Sequence, residues 1–186
     1  FFFLNLFFSI TFSLILFYLS LDQSLWFKFW SSLSIPPQPA FSDLKAHIYF
    51  YNCFKNGIDI FTTGCPLIHQ GNATITTHPK IWLYLVKVLN LSNEKIYNIF
   101  VIVLLIIYFY FIFRLFKVFK TYQSKIFLLL FLFSTTNFIL LERFSTDLII
   151  FLIVYPIIIF RIKIFQFFLI FIGTILKYYP IFLLCL

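Results

Sequence analysis

A chain of 186 residues that is 62% hydrophobic and only 11% charged, with 31 phenylalanines, lies far from the soluble globular norm of roughly 45–50% apolar and about 25% charged residues. A water-soluble enzyme is excluded, and so is a disordered chain, because disorder requires low hydrophobicity. The net charge of +8 does not point to nucleic acid, since the basic residues stand between apolar runs and not on one solvated face; the expected surroundings are membrane lipids.

A membrane span needs ~20 apolar residues to cross ~30 Å of hydrocarbon, so the length allows about five. The expected fold class is all-α, a polytopic transmembrane helical protein. Residues 1–20 read as a transmembrane helix and residues 21–95 as a large extracytoplasmic loop with short surface helices. Residues 96–186 read as a transmembrane helical region of about four spans. Its apolar runs are Ile96 to Phe113, Ile126 to Leu141, Phe144 to Phe160, and Ile164 onward. With no Met and with apolar runs at both ends, the chain reads as a fragment truncated at its C-terminus.

Basic residues in short connections favour the cytoplasmic side. Arg114, Lys117, Lys120 and Lys125 lie between two of the runs with no acid among them, and so do Arg161 and Lys163. Both connections are therefore expected in the cytoplasm. The long loop and the Glu142–Asp147 turn then share the opposite side, in a multi-pass protein of a bacterial plasma membrane.

Within the loop, Pro36-Pro37-Gln38-Pro39 is a rigid breaker. Ser42 then reads as the N-cap of a helix through Lys55 that stops at Asn56-Gly57. Ile81 to Leu91 suits an interfacial helix, with Trp82 and Tyr84 at headgroup level. Three cysteines give no metal spacing. Cys53 and Cys65 share the loop, where a disulfide and two free thiols are both open readings.

Asp43 stands first among the carboxylates. Placed after the first span, at the start of a short helix, it is positioned to take a proton from a hydroxyl held at the membrane edge. A purely structural role is also open, since an acid there stabilises the helix dipole by ~0.3–1 kcal/mol. His47 lies four residues on and can share the face, as an acid/base or metal pair with Asp43 or as a solvated neighbour. Asp59 reads mainly as a residue bonding its own turn, and His78-Pro79 as a shaped turn. Glu142, Arg143 and Asp147 stand between two apolar runs with almost no loop, where charges either line a cavity or form a polar hairpin with an internal ion pair. Lys177, about 20 Å along its helix from Ile164, falls short of the far interface and suits a polar cavity beside the kink at Pro180.

The order of these motifs resembles the GT-C superfamily of membrane glycosyltransferases. They run Phe41-Ser42-Asp43, Gly57-Ile58-Asp59-Ile60-Phe61, Thr77-His78-Pro79, Glu142-Arg143 with Asp147, and Leu176-Lys177-Tyr178-Tyr179-Pro180. The likeness is greatest to the polyprenyl-phosphate-mannose-dependent mannosyltransferases that act on phosphatidylinositol mannosides and related glycans. It extends from about Phe41 to the last residue. Phe61 stands where that family usually has Tyr, and Thr77-His78-Pro79 where it has Tyr-Pro-Pro. The resemblance implies a GT-C-like fold with more spans than this chain holds. It implies Asp43 as catalytic base, Lys177 and Arg143 on the donor phosphate, and His47, Asp59, His78, Glu142 and Asp147 lining the site. It implies no cofactor, a polyprenyl-phosphate sugar as co-substrate, and a lipid or glycan acceptor of the cell envelope as partner; it assigns no metal ligand and leaves metal dependence open. A transporter, or a flippase or polymerase of lipid-linked glycans, is the alternative, with the same polar groups lining a path.

Overall fold

The computed structural model describes residues 2–36, 38–66, 73–74, 79–159 and 163–176. Helix α1 (Phe2–Leu21) is mostly apolar, and its hydroxyl side chains bond to the helix's own carbonyls. Ser9 Oγ donates to the Asn5 carbonyl and Ser13 Oγ to the Ser9 carbonyl, the back-bonding that lets hydroxyls sit in an apolar helix. Both serines are fully buried, and small residues on a helix face allow close approach of a second helix. That helix is α5 (Glu94–Val118), begun by Asn93, whose side chain accepts from the amides of Lys95 and Ile96. The rings of Phe8 and Phe113 are 6.2 Å apart and those of Phe12 and Phe109 5.7 Å. The two helices are thus antiparallel, and they bring Leu21 and Glu94 to one end of the molecule.

Both are long and apolar enough to cross a membrane. The run expected as a straight span from Ile126 to Leu141 is instead two helices, α6 (Tyr122–Leu132) and α7 (Thr135–Arg143), bent by 50° at the break and forming one broken span if they cross together. Asn137 explains why the break survives in apolar surroundings. Its Nδ2 donates to the Leu132 carbonyl at 3.0 Å, Ser134 caps α7, and the buried Tyr108 hydroxyl of α5 donates to Asn137 Oδ1. The backbone groups freed by the bend thereby keep polar partners. Two further expected spans are also shorter as described. Helices α8 (Thr146–Ile159) and α9 (Lys163–Leu176) have 14 residues each, about 21 Å at ~1.5 Å per residue, short of a straight crossing. Among the described residues, two helices, or three with the bent pair taken as one span, are long and apolar enough to cross a membrane, where about five are expected from the sequence.

The segment between α1 and α5 holds more helix than expected. Helix α2 (Gln23–Ser32) is capped by Asp22, whose Oδ1 accepts from the amides of Ser24 and Leu25. Its Trp26 and Trp30, four residues apart, are buried in the main core with Phe41, Leu105 and Phe144. Helix α3 (Ser42–Lys55) has the expected bounds. Its C-terminus closes as a Schellman motif, with Ile58 N–H on the Cys53 carbonyl, Gly57 N–H on that of Phe54, and Gly57 at φ +80°, where a residue without Cβ is favoured. Helix α4 (Ile81–Val88) stops short of the expected Leu91 in the same way. Asn90 takes φ +51°, and Leu91 N–H closes on the Val86 carbonyl. Cys53 and Cys65 form a disulfide with a Cα–Cα distance of 6.1 Å, beside a short antiparallel pairing of β1 (Cys65–Pro66) with β2 (Ala73–Thr74).

The antiparallel pairing of α1 with α5 places α2, α3 and α4 at one end of these two helices and Arg114–Lys125 at the other. Single-cysteine labelling in membrane vesicles is expected to reach position 43 from the outside and position 120 only from the inside. Labelling of both from one side would overturn the topology.

Candidate functional site

The residues 38–41 that lead into α3 are tied down on two sides. Trp26 Nε1 donates to the Gln38 carbonyl at 3.2 Å, while the Gln38 amide donates to Glu142 Oε1 and the Phe41 amide to the Glu142 carbonyl at 3.1 Å. Glu142, fully buried at the end of α7, thus uses its side chain and its backbone as one clamp on the entry to α3. Its second oxygen, Oε2, faces Arg143 Nε at 3.6 Å. This is an ion pair beyond hydrogen-bonding distance. The Arg143 side chain keeps 39% of its surface exposed, so a buried carboxylate anchors a cation that still reaches the surface.

Two phenylalanines frame the clamp in left-handed backbone conformations, Phe41 at φ +58° and Phe144 at φ +52°. A bulky side chain there costs roughly 1–3 kcal/mol and persists only where its surroundings over-determine it. Here the two buried rings meet edge-to-face, their centroids 5.5 Å apart. Phe41, and not Ser42, is therefore the N-cap of α3, and it makes no side-chain cap bond. The expected serine cap is not formed, and the N-cap residue is instead held by its own amide, which donates to the Glu142 carbonyl.

Asp43, half-buried in the first turn of α3, lies two residues beyond the clamp, and its charge acts on Glu142. Asp43, Glu142 and Arg143 are thus brought together from positions about a hundred apart in sequence. Asp147 is adjacent in sequence, in the first turn of α8, where its amide donates to Ser145 Oγ at 3.2 Å and Ser145 Oγ lies 3.4 Å from Asp147 Oδ2. That reciprocal pair starts α8 in the manner of a cap.

His47, one turn after Asp43, is not a solvated neighbour. It is buried, with its ring stacked on Trp82 at 4.5 Å and 12° between planes. Among the described residues no three His, Cys, Asp or Glu side chains gather to hold a metal. Trp82, expected at headgroup level, is buried instead, packed with Ile150 and Leu176, and its Nε1 donates to the Leu176 carbonyl at 3.3 Å. Tyr84 stays exposed as expected. The His47–Trp82 stack therefore joins α3 to the end of α9, one residue before Lys177. Lys177 itself and His78 lie outside the described residues.

Asp59 does not join the cluster. It follows the far end of α3, about 18 Å along the helix from Asp43, and spends its carboxylate on its own turn. Oδ1 accepts from the Phe61 amide at 3.0 Å and Oδ2 from the Thr62 hydroxyl at 2.7 Å. These bonds, with the Thr62 hydroxyl first, hold its pKa below the ordinary carboxylate value. A depressed pKa adds stability above the unfolded-state value that is lost as pH falls through the folded one, here below about pH 4. Amide exchange at Thr63 and Gly64, which close on the Asp59 carbonyl, is expected to accelerate relative to its intrinsic rate on acidification. In Asp59→Asn this dependence should vanish; its persistence would show that another group loosens the turn.

Comparison with protein families, with curated proteins and with solved structures gives no match for this chain.

Proposed function

We propose that the protein is an integral membrane glycosyltransferase of GT-C type, multi-pass in a bacterial plasma membrane. It transfers mannose or another hexose from a polyprenyl-phosphate sugar to a lipid or glycan acceptor on the extracytoplasmic face, with inversion. The observation that carries this reading is the meeting of Asp43 with Glu142 and Arg143 at one end of the bundle. The motif order, from Phe41-Ser42-Asp43 to Leu176-Lys177-Tyr178-Tyr179-Pro180, supports it.

In the proposed reaction the acceptor hydroxyl gives its proton to the Asp43 carboxylate as its oxygen forms the bond to the anomeric carbon. The bond from that carbon to the phosphate oxygen breaks, and its electron pair leaves with the polyprenyl phosphate. Cations near this oxygen stabilise its growing charge far better in a poorly hydrated site than in water. Arg143, anchored by Glu142, takes that role together with Lys177. The sugar stays on the lipid until transfer, so no nucleotide-binding loop is required.

The test is transfer from a panel of polyprenyl-phosphate hexoses to lipid and glycan acceptors in membranes containing the full-length protein. Transfer from at least one lipid-linked donor, and none from nucleotide sugars, is the expected result. Failure with every donor would overturn the reading.

A further inference from the structure

A second cleft, unconnected with the clamp, opens at the opposite end of the α1–α5 pair. Its volume is about 810 Å³, and its walls include Phe8 of α1 and Phe113 and Phe116 of α5, with Lys117, Lys120 and Lys125 around them. The three lysines are exposed, and the stretch from Arg114 to Lys125 contains no acid. With 25 residues, α5 is about 37 Å long at ~1.5 Å per residue, against ~30 Å of hydrocarbon. If Glu94 marks one interface, the last turns of α5 stand at headgroup depth on the other side. The aromatic walls then face acyl chains, and the ammonium groups face phosphates. Side chains of this length reach from an apolar wall to the interface while keeping their charge hydrated.

We propose that this cleft is a binding site for an anionic phospholipid of the cytoplasmic leaflet, its acidic headgroup held by Lys117, Lys120 and Lys125 and an acyl chain lying along Phe8, Phe113 and Phe116. Two features select the lipid over a free anion. Apart from Asn5, the walls below the lysines are apolar, where a soluble phosphate has little to gain, and the cleft sits between the ends of the two helices long and apolar enough to cross a membrane. The cationic rim and the lack of acids select an anionic headgroup over a zwitterionic one, since a surface lysine contributes about 1 kcal/mol toward an anionic leaflet. The proposal is independent of the glycosyltransferase reading and stands or falls on lipid binding alone.

The experiment is native mass spectrometry of the detergent-purified protein, titrated with phosphatidylglycerol or with phosphatidylcholine of the same acyl composition. Wild type is expected to retain phosphatidylglycerol preferentially. Lys117→Gln/Lys120→Gln/Lys125→Gln should weaken that binding about 100-fold, and Lys120→Gln or Lys125→Gln alone about fivefold, taking ~1 kcal/mol per lysine. The triple Arg variant at these positions should stay within about threefold of wild type, because charge and reach are kept. Lys55→Gln/Lys80→Gln/Lys87→Gln removes equal charge from the other end of the molecule, around the smaller cleft of Tyr51 and Tyr84, and should change little. Equal binding of the two lipids by wild type would overturn the site. So would an equal loss in the control triple, or displacement of the lipid by millimolar inorganic phosphate.

Discussion

Asp43→Asn is expected to abolish sugar transfer by the full-length protein while leaving expression and membrane insertion intact. The size of the loss separates the two roles open to this carboxylate. If Asp43 serves only the dipole of α3, replacing its charge costs at most ~1 kcal/mol of local stability, and turnover in a folded protein barely changes. A general base contributes about 10²–10⁴-fold in rate, a loss that no such local softening produces. Asparagine keeps the shape of the side chain at the start of the helix. The variant therefore removes the charge and the proton acceptor together. The assay is initial-rate transfer from a lipid-linked hexose in membranes, normalised to folded protein. His47→Ala is the companion measurement: its ring is a packing partner of Trp82, so its loss is expected in stability more than in turnover. Near-normal turnover by Asp43→Asn would remove it as the base, whatever the fate of the family resemblance.

What the sequence disclosed and what it concealed follow from the range of the forces involved. Helix α3 was legible because its stop is local: Asn56-Gly57 supplies the backbone conformation that its C-terminus requires. The long helices α1 and α5 were legible from apolar length alone. Helix α2 was missed although its signals are also local, the Asp22 cap and the i, i+4 pair Trp26 and Trp30; the reading of residues 21–95 as a loop obscured them. The start of α3 at Phe41 was beyond any local rule. A phenylalanine in a left-handed conformation is chosen by the ring of Phe144 and the carbonyl of Glu142, both about a hundred residues away. The break between α6 and α7 likewise rests on Tyr108 of another helix, and hydropathy saw only an unbroken run. Trp82 failed for the converse reason: an interfacial propensity was outweighed by packing against His47 and Leu176. Of the candidate site, the residue types were visible and their gathering was not. Asp43, Glu142 and Arg143 were separate observations until the clamp joined them, whereas Asp59 resolved into the turn residue that its neighbours already suggested.

Glu142→Ala is expected to lower transfer about 100-fold even though Glu142 touches neither sugar nor acceptor in the proposed reaction. The argument runs through position. Its carboxylate holds the Gln38 amide and its backbone carbonyl holds that of Phe41, and Asp43 begins the helix that this strap delivers. Alanine removes the first bond and leaves the second. With one of its two bonds gone, the strap no longer holds the start of α3 rigidly, and a displacement of about 1 Å at Asp43 is enough to cost about 10²-fold. The stability cost is of similar size, roughly 1–3 kcal/mol for the lost acceptor, and it is separated from turnover by normalising the rate to folded protein. Glu142→Gln separates strap from charge: its amide oxygen still accepts from Gln38, while Arg143 loses its ionic partner. If position is what matters, this variant keeps most of the activity, within about tenfold of wild type. Amide exchange supplies the readout independent of turnover. In Glu142→Ala the Gln38 amide should lose protection while the Phe41 amide, bound to the backbone carbonyl, keeps it; in Glu142→Gln both should stay protected. Loss of activity in both variants with Gln38 protected throughout would show instead that the Glu142 charge acts directly in the reaction, and the strap would be incidental to it.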